Sequence, residues 1–258
     1  MDKIRIQIVN YKTKNYLLDC LASIIADLKS FDGEYSIAIL DNASGDNLSD
    51  IRALSSQLKK FEIYQGENNF GFGSGHNFLA RKSDAKYILL LNPDTKIIEP
   101  YTIERLIKRA VESESQVVGP RLLTSEGITQ WWDHGELHGF RAWIGLNSGN
   151  SYWHEQKKIT EVAWVSGAVF LIEKKWFDDL DGFDEHFFLY KEEEELCWRL
   201  REKDGKVLYD PTITVFHHGG VVAKRSEHMQ KSVDYFLDKH FHYRFGYRFF
   251  KLLNKIIH

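Results

Sequence analysis

The chain has 258 residues, 43 % of them hydrophobic and 14 % aromatic, enough for one substantial core, so a disordered chain is excluded. A net charge of -3 gives no global electrostatic footprint for nucleic acid, and any anionic ligand must be met by local groups. Cys20 and Cys197 lie far apart without metal-ligand spacing and read as reduced core thiols. The first residues lack a signal peptide's apolar segment, and no apolar run approaches the roughly 18 residues of a membrane span, so the expectation is a cytoplasmic protein.

Ile4, Ile6, Ile8 and Val9 make a first strand, which ends at Asn10 and Tyr11. From Asn15 onward Leu17, Leu18, Leu21, Ile24, Ile25 and Leu28 recur at helical spacing. A second strand at 35–40 ends in Asp41-Asn42-Ala43-Ser44, and Leu48, Ile51, Leu54 and Leu58 mark the next helix. A short third strand at 61–64 precedes the glycine-rich segment 67–77, read as a loop with a brief helix after it. The uninterrupted run Tyr87-Ile88-Leu89-Leu90-Leu91 reads as a buried strand of a parallel sheet, stopping at an Asn92-Pro93-Asp94 corner. Strands separated by helices in this way require right-handed crossovers and an α/β architecture.

A helix from Tyr101 and a strand at 117–119 continue the alternation. Residues 124–159 then lose periodicity and carry Trp131, Trp132, Trp143 and Trp153, which reads as a long functional insertion shaping a pocket. Regular structure is expected again as one strand over 162–172, a short helix at Trp176, and a helix that opens on Glu192-Glu193-Glu194-Glu195. Two last strands, 207–209 and 213–216, close on His217-His218-Gly219-Gly220. The tail 233–258 mixes apolar residues with Lys239, Arg244, Arg248, Lys251 and Lys255, the composition of an interfacial helix or of an ordinary helix packed on the domain.

In open α/β sheets ligands bind at the carboxyl edge, so Asp94 is placed to hold a divalent metal or a sugar hydroxyl. Asn10, Tyr11, Asp41, Asn42 and Ser44 meet along the same edge. Their short acceptors suit an amide-bearing base with Tyr11 stacked on it, or else form a satisfied turn before the next helix. The segment Gly71-Phe72-Gly73-Ser74-Gly75 matches the dinucleotide fingerprint only superficially, because His76 replaces the third glycine and the segment follows the third strand. Its backbone amides could still approach a diphosphate. Four adjacent carboxylates repel one another, and one pointing into an aromatic-lined pocket acquires the raised proton affinity of a general base. At helical spacing Glu192 and Glu195 share a face from which Glu193 points away, and Glu195 can pair with Arg199. His217 and His218 could supply a metal ligand or a diphosphate donor.

Taken together, Ile8-Val9-Asn10-Tyr11, Asp41-Asn42-Ala43-Ser44, Asn68-Asn69-Phe70-Gly71-Phe72-Gly73-Ser74-Gly75-His76-Asn77, Leu91-Asn92-Pro93-Asp94, Val165-Ser166-Gly167-Ala168, Gly182-Phe183-Asp184-Glu185, Phe187 to Leu196 and His217-His218-Gly219-Gly220 form an ordered pattern. In that order the chain resembles the inverting glycosyltransferases of family 2, above all rhamnosyltransferase-like enzymes of bacterial polysaccharide synthesis.

The resemblance implies the GT-A fold: a mostly parallel nucleotide-binding sheet flanked by helices, an acceptor-binding second half and C-terminal helices. It implies a nucleotide-sugar half at 1–120, an acceptor and catalytic half at 121–232 and an amphipathic tail at 233–258. Asn92-Pro93-Asp94 stands where the family has Asp-X-Asp, which implies Asp94 as a ligand for Mg²⁺ or Mn²⁺, with His218 beside it. The donor nucleotide is implied at Asn10, Tyr11, Asp41, Asn42, Ser44, Asn69, Gly71, Phe72, Gly73, Asn77 and Asn92. The acceptor is implied at Trp131, Trp132, Ser166, Gly167 and Glu195. The family's Glu-Asp motif aligns with Glu192-Glu193, implying Glu193 as the base with Glu192 as its alternative. A dTDP-L-rhamnose donor, with UDP-sugars as the alternative, a saccharide or lipid-linked saccharide acceptor, and peripheral contact of the tail with the cytoplasmic membrane face complete the expectation. A nucleotidyltransferase would need a basic glycine-rich loop after the first strand, where Asn10-Tyr11-Lys12-Thr13 stands. A non-catalytic carbohydrate-binding protein would not explain the glutamate run.

Overall fold

The computed structural model describes residues 3–56, 58, 60–149, 151–220 and 225–242, with side chains from 228 onward in the last stretch. The first half alternates β1 (Ile4–Asn10), α1 (Lys14–Leu28), β2 (Tyr35–Asp41), α2 (Ser49–Ser55), β3 (Phe61–Gln65), α3 (Phe72–Ala80) and β4 (Tyr87–Leu91). There follow β5 (Thr95–Ile97), α4 (Thr102–Glu112), β6 (Val117–Leu123), β7 (His134–Gly135) and α5 (Phe140–Ser148). The chain continues with β8 (Thr160–Glu161), β9 (Trp164–Val165), β10 (Val169–Glu173), α6 (Lys174–Asp179), α7 (Glu192–Arg201), β11 (Val207–His217) and α8 (Arg225–Phe241).

The main sheet has the order β3-β2-β1-β4-β10-β6-β11-β5, with β8 added on β11. It is mixed but largely parallel: β10 runs antiparallel to β4 and β6, and β5 and β8 run antiparallel to β11. Both faces are covered, which explains why β4 is an unbroken apolar run. Leu89 and Leu91 join a core with α1, α2 and α4, while Ile88 and Leu90 join one with α3, α6 and α7. In register Asn10 stands opposite Asp41 and Ile8 opposite Leu91, so the turns after β1, β2 and β4 emerge along one edge. β11 runs parallel to β6 and pairs His217 with Thr95 of β5, which brings the His217-His218 pair to the same edge.

Four sequence expectations change. The glycine-rich segment is not a loop, because α3 already starts at Phe72. Gly73 and Gly75 permit close packing: a Cβ on Gly73 would lie 2.9 Å from Phe183 Cβ, and one on Gly75 2.9 Å from Val9 Cγ2. The single strand expected over 162–172 is broken by a turn at Ser166-Gly167-Ala168, with β9 in a small separate sheet with β7. The two strands expected at the end are one, β11, carried through a bulge between Asp210 and Thr214. The insertion contains α5, whose aromatic residues stay exposed on the outer face and blur the helical period. The tail positions Arg244, Arg248, Lys251 and Lys255 lie outside the described residues. No helix among the described residues is long and apolar enough to cross a membrane.

Candidate active site

The Asn92-Pro93-Asp94 corner is fixed by backbone. Asn92 N–H donates to the Ala168 carbonyl (2.9 Å), and its own carbonyl accepts from Thr95 Oγ1 (2.7 Å). Asp94 is 7 % exposed; its Oδ2 accepts from Gly219 N–H (3.1 Å), and its Oδ1 lies 3.3 Å from His217 Nε2. Burial alone would raise the Asp94 pKa, but His217 and the Gly219 amide outweigh it and hold the carboxyl below its ordinary value. Asn92 Nδ2 stands 3.4 Å from the same His217 nitrogen. The partner of Asp94 is therefore His217. His218 contributes its backbone N–H to the Asp94 carbonyl (3.0 Å), while its ring is exposed and packs edge-on against Tyr16 and Phe216. Strand alternation is the reason: neighbours at the end of β11 point to opposite sides.

Beside this corner lies the polar cluster of the first two turns. Asn10 is fully buried and donates through Nδ2 to Asp41 Oδ1 (2.8 Å), while Thr13 Oγ1 donates to its Oδ1 (2.7 Å). Asp41 also accepts from the Ser44 hydroxyl and from Gln65 Nε2 (2.6 Å). Asn42 joins this turn to α3: its Nδ2 donates to Asn69 Oδ1 (2.8 Å) and the Gly71 carbonyl (3.0 Å). Gly71 has φ +86°, and Phe72 N–H donates to the Phe188 carbonyl (3.0 Å). Tyr11 is half-buried with Lys12 Nζ 5.1 Å from its ring centre. Asn77 stands apart from this edge. It clamps the turn before α7, accepting from Phe183 N–H (2.9 Å) and donating to the Phe183 carbonyl (2.8 Å).

The glutamate run begins α7, and the fold gives each member a different environment. Lys191 before it has φ +73°, so the chain turns sharply into the helix. Glu192 is 2 % exposed, and its Oε2 has no hydrogen-bond partner among the described residues. Burial, then the charge of Glu193, raises its pKa well above the ordinary value. Glu193 Oε1 lies 3.5 Å from Gly167 N–H; burial, then the charge of Glu194, raises its pKa to about 7. A Cβ on Gly167 would come within 3.0 Å of Phe72 Cζ, crowding that ring, and would meet Glu193 Cδ in ordinary contact at 3.8 Å. Glu194 Oε2 accepts from Ser151 Oγ (2.7 Å) and Lys191 Nζ (2.8 Å).

Glu195 is fully buried between Arg199 of its own helix and Lys239 (2.6 Å) and His240 (3.3 Å) of α8. Burial opposes its charge, yet His240, Arg199 and Lys239 together lower its pKa to about 2. The structure thus brings Glu193, Gly167 and the neighbouring Ala168–Asn92 contact to one place, and turns Glu195 away into the helix-to-helix packing.

Within the insertion, Trp131 is 59 % exposed, and Trp132 stacks on Trp164 at 6.2 Å and 14°. Ser166 N–H donates to the Asp133 carbonyl (2.9 Å), tying the insertion to the Gly167 turn. The sequence reasoning missed Gln130, whose Oε1 lies 2.7 Å from His217 Nδ1. It also missed the buried knot around Asp133, which accepts from Trp153 Nε1 (3.0 Å) and Tyr209 OH (2.7 Å) and lies 2.7 Å from His134 Nδ1. No local pattern marks these residues; only the concentration of polar side chains in an aromatic segment hinted at such a network.

Among the described residues no group of three or more His, Cys, Asp and Glu could hold a metal by itself. Asp94 and His217 nevertheless suit a divalent cation that takes its remaining ligands from phosphate oxygens, as Mg²⁺ commonly does. A carboxylate oxygen and an imidazole nitrogen 3.3 Å apart share the space in which such a cation would sit.

The profile of glycosyl transferase family 2 matches residues 6–193. Over 88 % of this chain and 71 % of the relative, it is 27 % identical to a low-salt glycan biosynthesis hexosyltransferase, Agl10, of Haloferax volcanii. It is 26 % identical to the rhamnosyltransferase WbbL of Escherichia coli, over 83 % of both chains. It is 24 % identical to an N-acetylglucosaminyl-diphospho-decaprenol L-rhamnosyltransferase of Mycobacterium tuberculosis, over 84 % of this chain and 76 % of that one. Among solved structures, GalNAc-T7 with UDP, GalNAc and Mn²⁺ superposes with a TM-score of 0.65 at 14 % identity, over 84 % of this chain and 44 % of that one. The mannosyltransferase PcManGT of Pyrobaculum calidifontis, with GDP-Man and Mn²⁺, gives 0.62 at 12 % identity, over 90 % of this chain and 61 % of that one. The chain thus spans less than two thirds of either solved chain, and what they share with it is the GT-A fold. With the profile covering most of its length, the chain belongs to glycosyl transferase family 2.

Proposed function

We propose that the protein transfers a sugar from a nucleotide diphosphate to a saccharide or lipid-linked saccharide with inversion, in cell-surface polysaccharide synthesis, and that Glu193 is the base. The observation that carries this reading is the placement of Glu193. It is a carboxylate whose pKa is raised to about 7, set at the Gly167 amide, one residue from the Ala168 carbonyl that holds Asn92. A group that titrates near working pH is matched to taking a proton from a hydroxyl. In the step proposed, the acceptor oxygen forms its bond to the anomeric carbon as its proton passes to Glu193. The bond from that carbon to the diphosphate oxygen breaks, and the electron pair leaves with the diphosphate. Attack opposite the leaving group inverts the anomeric centre.

Asp94 and His217 would hold Mg²⁺ or Mn²⁺, which, when bound, neutralises charge on the departing diphosphate. Asn10, Tyr11, Asp41 and Ser44 would receive the nucleoside, with Asn42, Asn69 and Gly71 keeping the turn in shape. L-rhamnose from a dTDP donor is our first choice for the sugar. It is supported by two relatives named as rhamnosyltransferases, and a UDP-sugar is the alternative. A lipid-linked acceptor is supported by the decaprenol in one relative's name and by the basic aromatic tail.

Calorimetric titration with dTDP, UDP and GDP, each with and without Mn²⁺, tests the donor. The expected result is metal-dependent binding of dTDP that is lost in Asp94→Ala; failure of all three nucleotides to bind would contradict the proposal. Membrane contact is tested by deleting 243–258, with loss of cosedimentation with anionic vesicles expected. A longer deletion from Tyr235 would remove Phe236, Leu237 and Phe241, which are buried against Phe187.

A further inference from the structure

We propose that Gln130 is a positioning residue that fixes the tautomer of His217 and so prepares it as a metal ligand. The inference rests on the metal-binding reading given above for Asp94 and His217. Gln130 Oε1 is an acceptor and lies 2.7 Å from His217 Nδ1, so the proton of the neutral ring belongs on Nδ1. The other nitrogen, Nε2, is then left with its lone pair, 3.3 Å from Asp94 Oδ1. Two lone-pair atoms facing each other at that distance repel unless a positive charge lies between them, either the proton through which His217 lowers the Asp94 carboxyl or a metal cation in its place. The pair is therefore set for a positive ligand by a residue that touches neither the ligand nor Asp94. Ligating histidines commonly have their second nitrogen held in this way, and losing the outer partner costs about 10–100-fold in metal affinity.

Two further features fit this role. Gln130 is anchored on the end of β6: its N–H donates to the Leu122 carbonyl (2.7 Å), next to a bridge between Leu123 and Thr129. Gly219 leaves the room it needs, because a Cβ there would stand 2.7 Å from Gln130 Nε2. Gly219 also donates its N–H to Asp94, so the same residue serves both sides of the pair. Gln130 directly precedes Trp131 and Trp132, which links the expected acceptor contacts to the ring of His217 through one side chain.

The test uses the full chain with Mn²⁺ alone as probe, read by electron paramagnetic resonance, and with ¹⁵N-histidine spectra of the metal-free protein. In the wild type the His217 signal, identified by its absence in His217→Ala, is expected to show the Nδ1–H tautomer. Gln130→Met, which keeps the length and removes the acceptor, is expected to weaken Mn²⁺ binding by about 10–100-fold. Gln130→Glu, which restores an acceptor, is expected to bind Mn²⁺ at least as tightly as the wild type. An Nε2–H tautomer in the wild type, or unchanged Mn²⁺ affinity in Gln130→Met, overturns the proposal. If Gln130→Met does not fold, the wild-type tautomer still decides it. If the wild type binds no Mn²⁺ while showing the Nδ1–H tautomer, the metal reading of Asp94 and His217 fails and the positioning of the ring by Gln130 stands.

Discussion

The two halves of the glutamate run at the start of α7 differ more than any sequence rule would suggest. Glu192 is buried and Glu193 half-buried, both with few partners, and both have raised pKa values, Glu193 to about 7. Glu194 is bonded by Ser151 and Lys191, and Glu195 is enclosed by Arg199, Lys239 and His240 with its pKa lowered to about 2. Like residues in one helical turn are thus divided by tertiary partners into a pair left with proton affinity and a pair spent on holding α7 to its neighbours. Carboxylates at a helix N-terminus already enjoy a favourable dipole, so the raised values come from burial and mutual repulsion overcoming it. The difference teaches that proton affinity in such a run is located by what fails to neutralise a carboxylate, which is the ground for proposing Glu193 as the base.

The largest expected effect is on turnover. Glu193→Gln should lower kcat by roughly 10²–10⁴ while changing donor-nucleotide affinity little, as measured by transfer assays beside calorimetry. Equal turnover in the variant would erase the distinction between the two halves.

Glu195→Gln should act on stability instead. A carboxyl lowered from 4.5 to about 2 stabilises the fold above its unfolded value by on the order of 3 kcal/mol, and loses this as pH falls from about 4.5 toward 2. Urea unfolding should therefore show a large deficit for the variant at pH 7 that narrows below pH about 4.5. The folded fraction should keep its turnover. The smallest effect is expected for Glu194→Gln. After burial, the charge of Glu194 is the chief cause that raises Glu193, so its removal should move the acidic limb of the activity profile to lower pH. It should cost less than about tenfold in rate at pH 8.

Much of the architecture was legible in the chain, because β4 is an unbroken apolar run and α1 and α4 keep the helical period. The Asn92-Pro93-Asp94 corner and the Asn10–Asp41 turn pair could be placed along one edge for the same reason. What could not be read was direction and partner. β10 runs antiparallel between β4 and β6, a pairing that its apolar sequence does not distinguish from a parallel one. Local spacing made His218 as good a candidate as His217, and only strand alternation at the end of β11 turns His217 toward Asp94. Gln130 and Asp133 matter through contacts across 87 and 76 positions of sequence, beyond the reach of any local motif. The pairing of Glu195 with Arg199 was visible at helical spacing, but its enclosure by Lys239 and His240 of α8 was not.

The pH dependence of kcat/KM between pH 5 and 9 tests the central claim most directly, since it reports the base in the free enzyme. The account predicts one ionisation near 7, with the rate falling about tenfold per pH unit below it as Glu193 takes up its proton. A rate that stays level down to pH 5.5 would mean that the base ionises as an ordinary carboxylate, and would contradict the assignment of Glu193.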